Sequence, residues 1–188
     1  MKYLIVGLGN IGAEYVDTRH NVGFMVANRL AERLNVTPEL QRHAYIAEGK
    51  YKGRHIHLVM PTTYMNLSGK AVRYYVDKHK LPIERLLVVT DELALPFGTL
   101  RMRGKGSDGG HNGLKNIQSM LGTTKYPRLR FGIGNEFAKG QQVDYVLSDF
   151  TDEEFEALPA LLDRCVEGIL SFASIGIQRT MNDFNRKA

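Results

Sequence analysis

One histidine near the start of the chain is the residue best suited to move a proton at neutral pH. His20 stands in the sequence Thr18-Arg19-His20-Asn21, shortly after an apolar segment and a glycine turn. A positioned imidazole can act as a general base because its pKa lies close to neutrality. Asp91 follows a second strongly apolar segment and is the candidate that would fix the tautomer of His20. Taken alone, His20 would more often be a loop histidine bonded to backbone, and Asp91 is equally well a turn or cap residue.

Three asparagines favour the catalytic interpretation, because they are expected near the same two residues. Asn10, Asn66 and Asn112 are ordinary loop or cap residues when each is considered singly. Together they offer uncharged donors and acceptors suited to a carbonyl, an amide or a ribose hydroxyl, and an NH₂ group can also stabilise an oxyanion. His111 is a further candidate for contact with substrate, with a flexible-loop histidine as the alternative.

Metal and serine chemistry are both disfavoured by the spacing of the residues. His55 and His57 place two imidazoles on one strand face, but no third ligand is indicated nearby. No G-x-S-x-G nucleophile elbow occurs. A serine nucleophile, Ser68 or Ser107, acting with His20 and Asp91 is the alternative that the sequence leaves. The sequence therefore predicts no metal and no cofactor.

The segment Gly7–Gly12 spells the G-x-G-x-x-G fingerprint of dinucleotide-binding proteins. That fingerprint needs a helix that opens at the third glycine, so that its amides meet a pyrophosphate. Residues 13–21 lack amphipathic spacing, and helical periodicity begins only at Val22. The acidic residue expected after the next strand is also missing, since Pro61 stands there. We interpret the glycines as a tight strand-exit turn, which argues against a nicotinamide-dependent oxidoreductase.

Basic and aromatic side chains suggest contacts with phosphate and with bases. Two pairs of arginines alternate along two predicted strands, Arg101 with Arg103 and Arg128 with Arg130. Each pair points to one side of its strand and suits a phosphate-binding patch, with a solvated sheet edge as the alternative. Tyr15 and Tyr64 can stack on a base or ribose, or simply pack.

Length and composition fit one globular domain over residues 1–188, with 43% hydrophobic and 24% charged residues. The net charge of +5 and the pI near 9.3 favour a polyanionic partner such as nucleic acid. We expect no membrane span and no cleaved signal. The only cysteine, Cys165, is predicted to be a small buried side chain, and a reducing, cytoplasmic setting fits best.

The elements that must position these residues alternate between strand and helix patterns. Strands are predicted at Tyr3–Gly9, Tyr45–Tyr51, His55–Met60, Leu86–Thr90, Thr99–Arg103 and Arg128–Gly134, and helices at Val22–Leu34, Gly69–His79 and Asn112–Leu121. A helical C-terminal region begins at a Thr151–Glu154 capping box and is punctuated by Pro159 and Gly176. This order predicts a single three-layer α/β/α domain with a mixed, mostly parallel central sheet. Ligands bind beyond the carboxyl ends of such strands, where the candidate residues are expected to converge.

The motifs, taken together, resemble the bacterial-type peptidyl-tRNA hydrolases over nearly the whole chain. The resemblance is carried by Gly7–Asn10, Tyr15 with Thr18–Gly23, Pro61–Gly69, Asp91-Glu92, Gly109–Gly113, Arg128–Gly134 and Met181–Asn185. It implies a metal-independent, cytoplasmic monomer that cleaves the ester between a peptide and the 3′-terminal ribose of tRNA. A non-catalytic RNA-binding module on the same fold is the main alternative.

The resemblance also implies roles for individual residues. His20 would be the base that activates water, Asp91 would hold its basic form, and Asn10 would distinguish a blocked amine from a free one. Tyr15, Tyr64, Asn66 and Asn112 would contact the tRNA end, and Arg103 and Arg130 would contact its phosphates. Two positions depart from the family pattern. Ile11 replaces a usual proline, and Asp108 places a negative charge beside the double glycine.

Overall fold

The apolar segments of the sequence form a seven-stranded sheet in a computed structural model that describes residues 1–186. The strands are β1 Lys2–Gly7, β2 Glu39–Gln41, β3 Ala44–Tyr51, β4 Arg54–Pro61, β5 Leu86–Glu92, β6 Leu100–Arg103 and β7 Arg128–Gly132. Their order across the sheet is β2-β3-β4-β1-β5-β7-β6. Only β3 and β6 run against the direction of the other strands. The predicted mixed, mostly parallel sheet is therefore confirmed.

Helices cover both faces of this sheet, as the three-layer prediction requires. They are α1 Val22–Arg33, α2 Ser68–Lys78, α3 Asn112–Leu121, α4 Gln142–Val146, α5 Asp152–Ile175 and α6 Ile177–Phe184. Ile5 of β1 belongs to a core formed with α1, α5 and α6, whereas Leu4 and Val6 belong to a second core formed with α2 and α3. Successive residues of a strand face opposite sides, so one unbroken apolar strand supplies both cores. Among residues 1–186, no helix has the length and apolar character needed to cross a membrane.

Local sequence signals explain most element boundaries. Lys52 and Gly53 both have positive φ, 48° and 79°, which suits the tight turn of the predicted β3–β4 hairpin. The capping box is also present, because Thr151 Oγ1 accepts from the Glu154 amide while the Glu154 carboxylate accepts from the Thr151 amide. Two short elements, β2 and α4, were not predicted. Helix α5 continues through Pro159, where the sequence predicted a break.

The glycine turn after β1 allows strand and helix backbones to touch. A Cβ atom on Gly7 would lie 2.3 Å from the carbonyl oxygen of Gly23, and one on Gly23 would lie 2.4 Å from that of Leu8. No helix opens at Gly12, which a three-residue 3₁₀ turn follows, as the strand-exit interpretation expects. The close approach sets the start of α1, and the turn before it that carries His20, beside the end of β1.

Candidate active site

A cavity of about 210 Å³ lies beyond the carboxyl ends of β1 and β5, where the sequence predicted convergence. Five of the predicted site residues line it: Asn10, His20, Asp91, His111 and Asn112. Asn10 follows β1, Asp91 lies within β5, and the last two stand at the start of α3. His20 comes from a 3₁₀ turn, Arg19–Asn21, just before α1. We call this space the catalytic cavity.

His20 and Asp91 form a short hydrogen-bonded pair inside the catalytic cavity. The distance from His20 Nδ1 to Asp91 Oδ2 is 2.7 Å, and the two side chains are 13% and 3% exposed. Burial lowers the pKa of His20, but the charge of Asp91 and the hydrogen bond to it outweigh this effect, so the net pKa is raised above 6.5. Because Nδ1 is bonded to the carboxylate, Nε2 is the ring nitrogen left to meet a ligand.

Asp91 is held from its other side by His111. The distance from His111 Nε2 to Asp91 Oδ1 is 2.7 Å, and the same nitrogen lies 3.0 Å from the hydroxyl of Thr90. His111 Nδ1 accepts hydrogen bonds from the amides of Gly113 and Leu114, at 3.1 and 3.3 Å, and so caps α3. A nitrogen that accepts from backbone amides carries no proton, so the proton of neutral His111 lies on Nε2 and points at Asp91.

The two histidines determine the charge of Asp91. Burial of this carboxyl group raises its pKa, but the His20 and His111 rings that face it lower the pKa by a larger amount. The net pKa of Asp91 therefore lies far below its usual range. Asp91 is therefore a buried carboxylate with both oxygens occupied. His111 lines the catalytic cavity, but both of its ring nitrogens bind within the protein, which differs from the contact with substrate that the sequence suggested.

Asn10 is fixed in place by an asparagine that the sequence analysis did not single out. The amide of Asn10 donates to Asn21 Oδ1, and Asn21 Nδ2 donates back to the carbonyl of Asn10, both at 2.8 Å. Asn10 Oδ1 accepts from the amide of Met65 at 3.3 Å. Among residues 1–186, Asn10 Nδ2 has no partner, so it remains a donor for a ligand. The only signal for Asn21 was its place directly after His20.

Three other predicted contacts lie outside the catalytic cavity. Asn66 is exposed on a 3₁₀ turn, Met65–Leu67, and is connected to Asn10 through the neighbouring amide of Met65. Tyr64 is 78% exposed, and Tyr15 is half-buried at the end of another 3₁₀ turn. None of the three lines the cavity, so the structure does not bring them together with His20 and Asp91.

The two predicted arginine pairs are brought together on one face of the sheet. In the antiparallel β6–β7 pair, Arg101 lies opposite Arg130, and Arg103 lies opposite Arg128. Arg130 contacts Glu92 at 3.4 Å, and Arg103 is exposed. Burial lowers the pKa of Arg130, and the nearby charge of Arg103 lowers it further. Like charges placed opposite each other destabilise a sheet, so this cluster favours an anionic ligand.

Arg128 differs from the other three arginines because it is buried, with 2% exposure. Its guanidinium stacks 4.0 Å over the ring of Tyr126 and donates to the backbone carbonyls of Ser107, Thr124 and Tyr126. It supports the glycine-rich loop of residues 104–110 through Ser107 instead of contributing to the phosphate-binding patch that the alternation suggested.

Asp108 belongs to the same loop. Its Oδ1 accepts from the amide of Gly110 at 2.8 Å, so the carboxylate stabilises the turn that leads to His111.

Short helix α4 and the residue after it contribute most of the apolar lining of the catalytic cavity. Val143, Val146 and Leu147 line the cavity there together with Leu93. The sequence pattern predicted no helix or strand between the Arg128–Gly134 strand and the capping box at Thr151. A five-residue helix lacks the length over which helical periodicity becomes visible, so packing determines it.

Within residues 1–186, His20, Asp91 and His111 are also the group of side chains that is geometrically able to surround a metal ion, with ligand atoms within 4.8 Å of one another. Their hydrogen bonds argue against this use. His111 Nε2 carries a proton, and His20 Nδ1 faces a carboxylate oxygen at 2.7 Å, so neither nitrogen presents a lone pair to a cation. The donor set fits a proton-transfer site better than a metal site.

Comparison with known proteins gives one consistent result. The family model described as peptidyl-tRNA hydrolase matches residues 4–188. A similar protein named peptidyl-tRNA hydrolase occurs in Cytophaga hutchinsonii and is 59% identical, with 100% of both chains covered. Another with the same name occurs in Porphyromonas gingivalis and is 58% identical, with 98% of this chain and 100% of the other covered. A crystal structure of a mutant peptidyl-tRNA hydrolase from Acinetobacter baumannii has a TM-score of 0.92 at 33% identity, covering 97% of this chain and 94% of that one.

Proposed function

This chain belongs to the peptidyl-tRNA hydrolase family, and from that premise we propose that it hydrolyses the ester joining a peptide to the 3′-terminal ribose of tRNA, with His20 as general base and Asp91 as its partner. The reaction would release free tRNA from prematurely dissociated peptidyl-tRNA. The observation that carries the proposal is the 2.7 Å contact between His20 Nδ1 and Asp91 Oδ2 inside a cavity lined by neutral amide side chains.

The proposed mechanism uses only groups that the cavity presents. Nε2 of His20 takes a proton from water, whose oxygen attacks the carbonyl carbon of the ester. The negative charge of the tetrahedral intermediate is stabilised by N–H donors such as Nδ2 of Asn10 or of Asn112. The bond from carbon to the ribose oxygen then breaks, and the imidazolium returns the proton to that oxygen. Asp91 stabilises the imidazolium and stays ionised.

Asn10 would select a peptidyl ester over an aminoacyl ester. A neutral amide can pair with the N–H or C=O of the first peptide bond, whereas it offers a charged ammonium no compensating charge. The reciprocal bonds to Asn21 hold the backbone of Asn10, so this selection would rest on a fixed group. A carboxylate at the same position would favour the wrong substrate.

The tRNA end would be held by residues around the cavity. We propose that Asn112 and Asn66 meet the terminal nucleotide, with the tyrosines Tyr15 and Tyr64 available for stacking. Arg103 and Arg130 would bind phosphate, since they lie on the crowded basic face of β6 and β7. The proposal takes residues 1–188 as one catalytic domain acting as a monomer, and the single sheet beneath the catalytic cavity supports the one-domain part of it.

Parallel deacylation assays test the proposal. An N-acetylated aminoacyl-tRNA and its free-amine counterpart are each incubated with wild type and with His20→Ala, in excess chelator. We expect wild type to cleave only the blocked ester, and the variant to lose about 10²–10⁴-fold in rate. Undiminished cleavage by the variant would refute the general-base role of His20. Tight tRNA binding without any cleavage would instead indicate a binding module.

A further inference from the structure

A second and larger cavity begins at Asn10 and runs away from His20. It has a volume of about 760 Å³, more than three times that of the catalytic cavity, and lies between α1, the first turns of α5 and the ends of β3 and β4. Asn10 lines both cavities. We call the larger one the apolar groove.

The walls of the apolar groove are unusual for a surface that meets only water. Ile11, Val16 and Tyr45 line it and are 46%, 58% and 40% exposed. Met25 and Met60 form part of its floor. Contiguous exposed apolar surface of this kind usually marks a binding site, and flexible methionine side chains suit ligands of variable shape.

The groove also offers polar groups that match a peptide backbone. Pro159 has no N–H, so the carbonyl of Phe155, four residues earlier in α5, lacks its usual helical donor. Phe155 and Pro159 both line the groove. Across from them, the exposed amide of Asn28 on α1 provides a donor and an acceptor.

The position of the groove along the sheet indicates which part of the substrate it would receive. The arginine cluster lies at the β7–β6 end of the strand order, the catalytic cavity lies beyond β1 and β5, and the groove lies at the β4–β3 end. A polyanion is drawn to the arginine end, so the chain on the other side of the ester is directed toward the apolar end.

We propose that the apolar groove binds the peptide part of the substrate, as an extended segment that passes Asn10 and continues along α1 and α5. This inference rests on the proposed function and adds a subsite to it. Apolar walls with a few backbone partners give affinity with little sequence selectivity, which suits an enzyme whose substrates carry many different peptides.

The test compares two blocked substrates on the same tRNA, N-acetyl-phenylalanyl-tRNA and N-acetyl-Leu-Ala-Leu-Phe-tRNA. We expect wild type to show a kcat/KM roughly tenfold higher for the longer one, as anchoring of one or two apolar side chains would give. Asn28→Trp, which fills the groove from an exposed site on α1, should remove this advantage and leave the short substrate unchanged. Tyr45→Ala should reduce the advantage. Glu32→Trp, one turn further along α1 and outside the groove, is the matched control.

Three results would overturn the inference in distinguishable ways. Equal kcat/KM for both substrates in wild type would refute the peptide subsite and leave the proposed function intact. Concentration-dependent dimerisation abolished by Asn28→Trp would show that the groove receives a second copy of the chain instead. Failure to cleave either blocked ester would contradict the proposed function, and the inference with it.

Discussion

At the scale of single residues, the central feature is a buried carboxylate shared by two histidines with different roles. His111 has both ring nitrogens bound within the protein, so its proton is fixed on the side of Asp91. His20 shares the carboxylate but keeps Nε2 for a ligand. The carboxylate thus has one oxygen bound to each ring, and His20 is the ring that keeps a nitrogen for a ligand. A change at Asp91 should therefore appear in the titration of His20.

The pH dependence of catalysis tests this arrangement. His20 must be neutral to act as a base, and its pKa is raised above 6.5, so kcat/KM should increase with pH through a midpoint above 6.5. In Asp91→Asn the raising charge is absent while the effect of burial persists, so the midpoint should move below 6.5. The plateau should also fall, by about 10²-fold or more, because the tautomer is no longer enforced. A pH–rate profile that keeps the wild-type midpoint in Asp91→Asn would contradict the assignment.

At the scale of elements, one buried arginine joins the turn that carries His20 to two other parts of the fold. Arg19 lies 4.4 Å from the ring of Tyr145 in α4 and bonds Ser148 just beyond that helix. It also pairs with Glu154 in the first turn of α5 at 3.0 Å. Because α4 contributes apolar residues to the lining of the catalytic cavity, Arg19 connects that part of the lining to His20, its neighbour in the sequence.

Replacement of Arg19 by methionine should weaken both the fold and the site. The variant leaves the partly buried Glu154 without its cation and should cost about 3 kcal/mol in the free energy of unfolding. We also expect kcat/KM to fall roughly tenfold, because α4 and the turn lose their common anchor. Arg33→Met is the matched control, since Arg33 also reaches α5, through an exposed pair with Glu167, and lies outside both the catalytic cavity and the apolar groove. Urea unfolding measures the free energy of unfolding, and steady-state kinetics measure kcat/KM. Equal losses of stability and of kcat/KM in the two variants would refute a special role for Arg19.

The elements also show what the sequence can and cannot predict. Strands and helices with clear periodicity, such as β5 and α3, were placed within a few residues, because burial alone determines them. Short α4 and β2 were missed, since neither is long enough to show a period. Pro159 was given too much weight as a helix breaker: a proline removes one hydrogen bond, and in α5 tertiary packing compensates for it.

The sequence predicted residues that the fold brings into one cavity, but it did not predict the residues that support them. His20, Asp91 and Asn10 stand out because few other roles suit them at strand ends. Asn21 and Arg19 were not identified as supports, because their partners lie on other segments, and only the folded chain brings these together. Arg128 was grouped with the phosphate-binding arginines because alternation gives the face of a strand but not the depth of burial.

At the scale of the whole molecule, charge and apolar surface are separated along the strand order of the sheet. The arginines of β6 and β7 lie at one end, the apolar groove lies at the other, and His20 and Asp91 lie between them. This separation matches a substrate that is a polyanion on one side of its ester and a peptide on the other. It implies that binding of tRNA alone depends on the first end and not on the second.

The salt dependence of tRNA binding measures that separation. Deacylated tRNA is titrated into wild type, Arg103→Gln and Tyr45→Ala over a range of salt concentrations, with Arg33→Gln on α1 as a control for lost charge at an exposed site away from β6 and β7. Each phosphate contact contributes roughly 0.7–0.9 to the slope of log affinity against log salt, so Arg103→Gln should lower the slope by about that amount. Tyr45→Ala and Arg33→Gln should keep the wild-type slope, because neither lies on the basic face. A slope lowered equally by both arginine variants would show that net charge, rather than the β6–β7 cluster, binds the tRNA.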